Sequence, residues 1–339
     1  MTRTQKRSTK SGRASSGRRR SNPQAILDQL EEIRASGNGV LRFGRGASLD
    51  VSSLDKVYFP DDGITKGDLM QYYTTVSPVL LPLIRDRPLV LKRYPDGIEG
   101  SSFFQQNAGR DIPKGVRTAA VTTGEGDRAV RIIGGDLLTL LYTVQIGTIA
   151  VHAWQSRIRD VNHADSTTID LDPGPGVTFA QVVRLAGYVG AELKELGLKV
   201  ALKTSGSRGI HMALPLPRRT TFDEAAAVAL RVAERVVERH PKLATLERRI
   251  DDRPPGTIYV DAQQNAKGKS VVAAYSVREK PKARVSAPLR WPDLRRTLRL
   301  ETFTVRTMPA RLSSVGDLWG EAMRNRNTRR ALDRALRSG

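Results

Sequence analysis

The 339-residue chain contains no cysteine. Disulfides, thiolate-ligated zinc, iron–sulfur clusters and a cysteine nucleophile are therefore excluded together. Histidine is almost as scarce, with only His152, His163, His211 and His240. No stretch approaches the roughly 20 consecutive apolar residues of a membrane helix. The first 20 residues, MTRTQKRSTKSGRASSGRRR, lack the apolar segment of a secretory signal and the apolar face of a mitochondrial targeting helix. A cytoplasmic location is expected. Negative charge is also in deficit: 56 Lys and Arg against 35 Asp and Glu give a net charge of +21. An enzyme of small metabolites rarely needs such an excess, whereas binding to a polyanion, nucleic acid above all, explains it. Part of the excess sits in the tails, but Lys56, Lys66, Lys92, Arg93, Lys203 and Arg208 fall inside the expected folded body.

Hydrophobic residues make up 39% of the chain, enough for one large domain or two smaller ones with polar tails. Residues 1–22 read as a disordered basic tail, and 23–39 as a short helix and linker. Ser21 or Asn22 caps that helix, and Pro23 sits in its first turn. The main folded unit is expected over 40–310, followed by a basic helical segment over 311–339. Thr65 is an N-cap candidate with Asp68 in the first turn of the helix that follows. Strands are expected in RPLVLKRYP, TIAVHAWQ, KVALKT, IHMALPL and TIYVDAQQN, and amphipathic helices in GGDLLTLLYTVQIG and VTFAQVVRLAGYVGAELKELG. No internal repeat is present. The mixture points to α/β or α+β rather than a purely parallel sheet.

The sequence TTIDLDPGPG, at 167–176, carries the first chemical signal. Side chains alternate across a strand, so Ile169 and Leu171 point into the core while Thr168, Asp170 and Asp172 share the other face. Same-face neighbours lie roughly 6.5–7 Å apart, close enough for both carboxylates to converge on a hard cation or on a pair of them. Dehalogenase-type phosphatases need Thr or Val two residues after the second Asp, where this chain has Gly174. A glycosyltransferase survives that local test but leaves the basic charge unexplained. Polymerases and primases need a third carboxylate from a distant strand. TIYVDAQQN offers one, since Ile258 and Val260 alternate against Tyr259 and Asp261. KTSGSRGIHMALPL adds a glycine-containing loop with amide and hydroxyl donors, Arg208 for phosphate oxygens, and His211 in the strand beyond.

IDLDPGPG, KTSGSRGIH and IYVDAQQN, in that order, with AAYSVR after them, resemble the three catalytic motifs of the archaeo-eukaryotic primase-polymerase superfamily. The similarity is greatest to the polymerase domain of bacterial DNA ligase D, an enzyme of non-homologous end joining. SSLDKVYFPDDGITKGDLMQYY, KRYPDGIEGSSFFQQ and APLRWPDL extend it over about residues 40–300. The resemblance implies an α/β (α+β) primase-polymerase fold, with two mixed β-sheet subdomains flanked by helices and the active site between them. It implies that Asp170, Asp172 and Asp261 hold two divalent metals, Mn2+ or Mg2+, and that Ser205, Arg208 and His211 bind the incoming triphosphate. Gln264 and Arg278 would lie beside it, with His152 facing the site. Lys56, Lys66 and Ser53 would form the pocket for the 5′-phosphate of a downstream strand. Phe103 and Phe104 would stack on bases, with Arg93 also among the DNA-binding residues.

The implied activity is a template-dependent nucleotidyltransferase that extends primers at gaps or broken ends and accepts ribonucleotides. A primase starting strands de novo and a catalytically silent end-binding protein are the alternatives. The partners implied are gapped, primed or broken DNA and nucleoside triphosphates, at the nucleoid and not at a membrane. Three positions depart from the family pattern: Arg208 where Lys is usual, Ala262 where an aromatic commonly follows the third aspartate, and Ser53 where Asn is frequent. There is no Lys-x-Asp-Gly ligase motif, since YPDG at 94–97 lacks the lysine, and no histidine-rich nuclease module. A stand-alone polymerase is therefore expected, with a ligase and an end-binding protein acting in trans.

Overall fold

The computed structural model describes residues 22–337 apart from 123–125 and 127. The expected basic tail lies outside the described residues except for Asn22. That asparagine caps α1 (Pro23–Glu32), its side chain accepting from Gln24 N. Ile26 and Leu30, one turn apart, bury the inner face of the helix. A hairpin of β1 (Gly39–Phe43) and β2 (Ala47–Val51) follows, then a second of β3 (Val57–Phe59) and β4 (Ile64–Thr65). The second runs straight into α2 (Lys66–Ile84), where Thr65 and Asp68 form a reciprocal capping box. Next come β5 (Leu89–Arg93), β6 (Phe103–Gln105), a hairpin of β7 (Thr118–Thr122) and β8 (Arg128–Ile132), α3 (Leu137–Gln145) and β9 (Thr148–Trp154).

The second half holds β10 (His163–Pro173), α4 (Phe179–Glu195), β11 (Ala201–Thr204), β12 (Ile210–Thr221) and α5 (Phe222–Arg239). It continues through β13 (Ala244–Thr245), β14 (Ile258–Asp261), β15 (Ser270–Val272) and β16 (Pro288–Leu289). Three helices close the chain: α6 (Met308–Val315), α7 (Leu318–Arg324) and α8 (Arg329–Arg337).

Two sheets organise these elements. One has six strands in the order β13-β14-β10-β12-β11-β16, the other four in the order β15-β9-β5-β6. The mixed α/β architecture is as expected, with the helices packed against these sheets. The four-stranded sheet is antiparallel throughout, and the six-stranded sheet is mixed only through the parallel pair β13–β14. In β10 the alternation is as expected: Ile169 and Leu171 are fully buried, on the side covered by α4 and α5. The opposite face of the same strand is left for charge. Both terminal helices share the main core, α1 against α2 and α8 against α5, with Leu332 and Ala335 fully buried. The divisions expected at 40 and 310 thus lie within continuous packing.

Candidate active site

Strand register brings the charged residues into a row. Asp170 of β10 sits directly opposite Asp261 of β14 on one side and His211 of β12 on the other. Lys203 of β11 is in turn opposite His211. Partners directly across an antiparallel pair have Cβ atoms about 4.5–5.5 Å apart, so the four side chains form a line across the sheet: Asp261, Asp170, His211, Lys203. Asp172 lies two residues along β10, opposite Tyr259.

The carboxylates of the row have different environments. Burial pushes the Asp170 carboxyl up, but His211, Lys203 and Arg278 outweigh it and hold its pKa below the usual range. Asp172 is raised, by burial first and then by repulsion from Asp170, although Arg253 offsets part of this. Arg253 Nη1 lies 3.2 Å from Asp172 Oδ2, and the guanidinium is held by the carbonyls of Glu247 and Arg248 and stands 4.9 Å over the Tyr259 ring. Asp261 is not on an open polar face, as the alternation alone suggested. It is 8% exposed and accepts from Tyr259 Oη (3.1 Å), Gln263 N (2.7 Å) and Gln264 Nε2 (3.1 Å). As these side chains stand, no three His, Asp or Glu groups among the described residues close around one point.

Beside the carboxylates is the 205–209 loop joining β11 to β12. Two glycines make it possible. Gly206 has φ +72°, and a Cβ at Gly209 would stand 2.3 Å from the Leu171 carbonyl oxygen. The loop thus lies directly against the carboxylate strand. Ser205 Oγ accepts from the backbone N–H groups of Ser207 and Gly209, so its own proton is left to point elsewhere. Arg208 is exposed and stands 4.0 Å from Asp172. His211 is buried, with Nε2 3.4 Å from Asp170 Oδ2. Burial lowers its pKa, with Lys203 and Arg278 acting in the same sense and Asp170 against them.

Asp170, Asp172, Ser205, Ser207, Arg208, Gly209, His211, Arg278 and Lys280 line one cleft of about 550 Å3. Carboxylates occupy one wall, and amide, hydroxyl, guanidinium and ammonium donors the others. Such a cleft can receive a phosphate chain and a cation together. Arg278 and Lys280 come from the segment after β15 of the four-stranded sheet, so both sheets contribute. Arg278 donates to the Ser205 carbonyl at 2.9 Å and pairs with Glu279, which in turn pairs with Lys92 at 3.2 Å. Burial raises Glu279, but Arg278 and Lys92 bring it down to about 2. Gln264 donates to Asp261, and neither residue lines the cleft. His152 also lies outside the lining, its Nδ1 buried without a hydrogen-bond partner among the described residues and its ring 6.5 Å from that of Phe104. Burial, aided by Arg278, pulls its pKa to about 3.

Phe103 and Phe104 are 47% and 62% exposed on the edge strand β6. Arg93 stands 5.1 Å over the first ring and Lys92 5.8 Å over the second. The lysines form a separate cluster. Lys66 N donates to the Lys56 carbonyl at 2.9 Å across the β3–β4 hairpin. Lys56 Nζ pairs with Asp96 at 2.6 Å. Lys66 is 5% exposed, and burial followed by the Lys56 charge lowers its pKa. Ser53 has φ +53°, a region in which Asn is far more at ease than Ser.

The sequence reading counted Lys203 as one basic residue among several and did not single out Arg253 or Tyr259. Alternation in KVALKT could place Lys203 on a face, but only the hairpin register sets it against His211. No local pattern marks Arg253.

Residues 65–319 match the family model described as the LigD primase-polymerase domain. The multifunctional non-homologous end joining protein LigD of Mycolicibacterium smegmatis is 33% identical over 242 residues, 71% of this chain and 32% of the relative. Its counterpart in Pseudomonas aeruginosa is 30% identical over 298 residues, 86% of this chain and 34% of the relative. The chain therefore spans about a third of the length of these curated relatives. Among solved structures, the polymerase domain of Mycobacterium tuberculosis ligase D in complex with DNA superposes with a TM-score of 0.76 at 30% identity, over 82% of this chain and 99% of that one. The family match, the similar sequences and the shared fold agree, and the chain belongs to the LigD primase-polymerase domain family.

Proposed function

We propose that the protein is a nucleotidyltransferase that extends a primer on a DNA template at gaps and broken ends during end-joining repair. The observation that carries this reading is the cleft itself. Two β10 carboxylates face a donor-rich loop across a space large enough for a phosphate chain. Its donor chemistry fits Mn2+ or Mg2+: Asp170 and Asp172 are hard oxygen ligands, Asp172 being raised by burial and then by the Asp170 charge, and Asp261 is directly across the strand. Two such ions, when bound, supply positive charge to the attacking and leaving oxygens of phosphoryl transfer. The chain's own groups do the rest. Ser205, Arg208, His211, Arg278 and Lys280 hold the triphosphate, and Arg208 offers a forked donor where a lysine would offer a point charge. Phe103 and Phe104 present open rings on which bases stack. Lys56 and Lys66 receive a 5′-phosphate, the anion that relieves their repulsion. The family resemblance extends the reading to ribonucleotides, to work at the nucleoid and to a ligase and end-binding protein as partners.

The test is extension of gapped DNA with labelled ribo- and deoxyribonucleotides and Mn2+, with and without a primer. We expect primer-dependent, template-directed addition. Strands made without a primer would replace this reading with a primase. DNA binding with no addition under any metal would leave an end-binding protein.

A further inference from the structure

A second groove, of about 690 Å3, runs along α4, the helix that covers the apolar side of β10. The six-stranded sheet therefore separates it from the carboxylate row. Its walls differ from those of the active cleft. Val183, Leu198, Val200 and Leu294 make it apolar, and Lys194 and Lys199 are its only charged lining residues. Glycine opens it on the helix side. A Cβ at Gly190 would stand 2.2 Å from Trp291 Cη2, so the indole edge rests on bare helix backbone. A Cβ at Gly187 would meet nothing within 4 Å, and the space above it is open. Trp291 closes the opposite wall from a single helical turn, Trp291–Asp293, yet stays 43% exposed. An indole left open beside an apolar trough marks a surface made to be covered.

The uncompensated charge around the groove is of one sign. The acids beside it are each matched twice: Glu195 pairs with Arg235 and Arg239, and Asp293 with Arg290 and Arg311. Lys194 and Lys199 pair with no carboxylate among the described residues. Lys199 Nζ donates only to neutral groups, Asn325 Oδ1 at 2.6 Å and the Arg326 carbonyl at 3.4 Å. Arg295 and Arg296, next to Leu294, are exposed. A second copy of this chain, with its net charge of +21, would bring like charge to these lysines. The first 20 residues of the chain hold basic residues, no acid and almost nothing apolar to fill the trough. A nucleic-acid strand would find none of the hydroxyl and guanidinium donors that line the active cleft. We propose that the groove docks an acidic, amphipathic segment of a partner protein. Its large apolar side chains sit in the trough against Trp291, and its carboxylates meet Lys194 and Lys199.

The probe is a fluorescein-labelled peptide of about 15 residues, with Leu and Phe on one helical face and Asp and Glu on the other. One control keeps the acids and has Ser for the apolar residues; a second keeps the apolar residues and has Lys for the acids. By fluorescence anisotropy, the full chain should bind the acidic amphipathic peptide with a Kd of about 10 μM or tighter, and each control at least about tenfold more weakly. Gly187→Leu fills the trough from a helical position with open space and keeps every charge, so it should fold. We expect it to weaken peptide binding about tenfold, with melting temperature and primer extension as in wild type. Lys194→Glu combined with Lys199→Gln should weaken it to a similar degree. The chain has three tryptophans, so indole N–H signals of isotope-labelled protein resolve them, and that of Trp291 should shift most on adding the peptide. Absence of binding, an unmoved Trp291 signal or an unaltered affinity in Gly187→Leu overturns the proposal. Equal binding of the Ser control does so too, since charge attraction alone would then suffice. An oligo-dT strand that displaces the peptide and moves the Trp291 signal would make the groove a strand-binding surface. A dimer in sedimentation that Gly187→Leu dissociates would make it a self-association face. Either result rejects the partner segment.

Discussion

Lys203 and Lys66 are both nearly inaccessible, at 1% and 5% exposure, and burial lowers the pKa of each. Their surroundings are opposite. Lys203 is enclosed by acceptors the fold itself provides: a hydroxyl, an imidazole nitrogen and an indole face. Lys66 stands beside a like charge, Lys56, and pairs with no carboxylate among the described residues. In the cleft, strand register has already set counter-charges against one another. In the β3–β4 hairpin the nearby carboxylates, Asp96 on Lys56 and Asp55 near Lys66, compensate the buried lysine only in part. The same contrast separates the two aromatic groups. Tyr259 is buried with its hydroxyl on Asp261, while Phe103 and Phe104 face outward beneath Arg93 and Lys92. A site that performs chemistry is preorganised by its own groups, and a surface that recognises a strand keeps its partners unfilled.

The most severe way to break this contrast is to empty the row. Asp170→Ala, Asp172→Ala and Asp261→Ala should each lower primer extension by about 10²–10³-fold or more, with binding to primed DNA near wild type. Gel extension and fluorescence anisotropy at one salt concentration check both halves. Wild-type extension by any one of the three would remove that residue from the metal-binding set.

An intermediate effect is expected at the open site. Wild-type protein should bind a gap carrying a 5′-phosphate about tenfold more tightly than the same gap with a 5′-hydroxyl, the scale of one charged contact. Lys56→Ala combined with Lys66→Ala should abolish the difference while leaving extension of a simple primed template intact. Equal wild-type affinities, measured at the same salt, would show that the hairpin holds no such pocket.

At neutral pH the smallest effect concerns His152, and it grows only as the solution is made acid. Its folded pKa of about 3 lies below the unfolded value of roughly 6.5. Between those values the unfolded chain binds the extra proton, so this group's share of stability is complete above about pH 6.5 and falls as pH drops towards 3. Urea unfolding from pH 7 to 4 should therefore decline less steeply in His152→Gln than in wild type, by at most about 1.4 kcal/mol per pH unit. Identical slopes would mean that the imidazole is not held neutral.

What could be read from sequence was local. The cap residues Asn22 and Thr65, the inward Ile169 and Leu171, and the shared face of Asp170 and Asp172 follow from periodicities of a few residues, and the structure has them so. The face of His211 is as expected for the same reason. What was not legible depends on pairing between distant strands. Lys203 meets His211, and Asp261 meets Asp170, through register that no single strand encodes. The polar face expected for Asp261 is covered because Tyr259, Gln263 and Gln264 fold back onto its carboxylate. Arg253 comes from an irregular loop over Asp172, where neither alternation nor helical spacing applies. That β13–β14 would be the one parallel pair within the two large sheets likewise depends on pairing between distant strands.

Trp319, on α7, closes the dry side of Lys203. Translation delivers that helix after every strand that carries the charged row. A nascent chain grown only as far as β16 already contains Asp170, Asp172, Asp261 and His211, yet its Lys203 lacks the indole that covers it. Water there competes for the amine and loosens its hold on the imidazole. The desolvated state of the row thus depends on a helix that follows all of its strands in the chain.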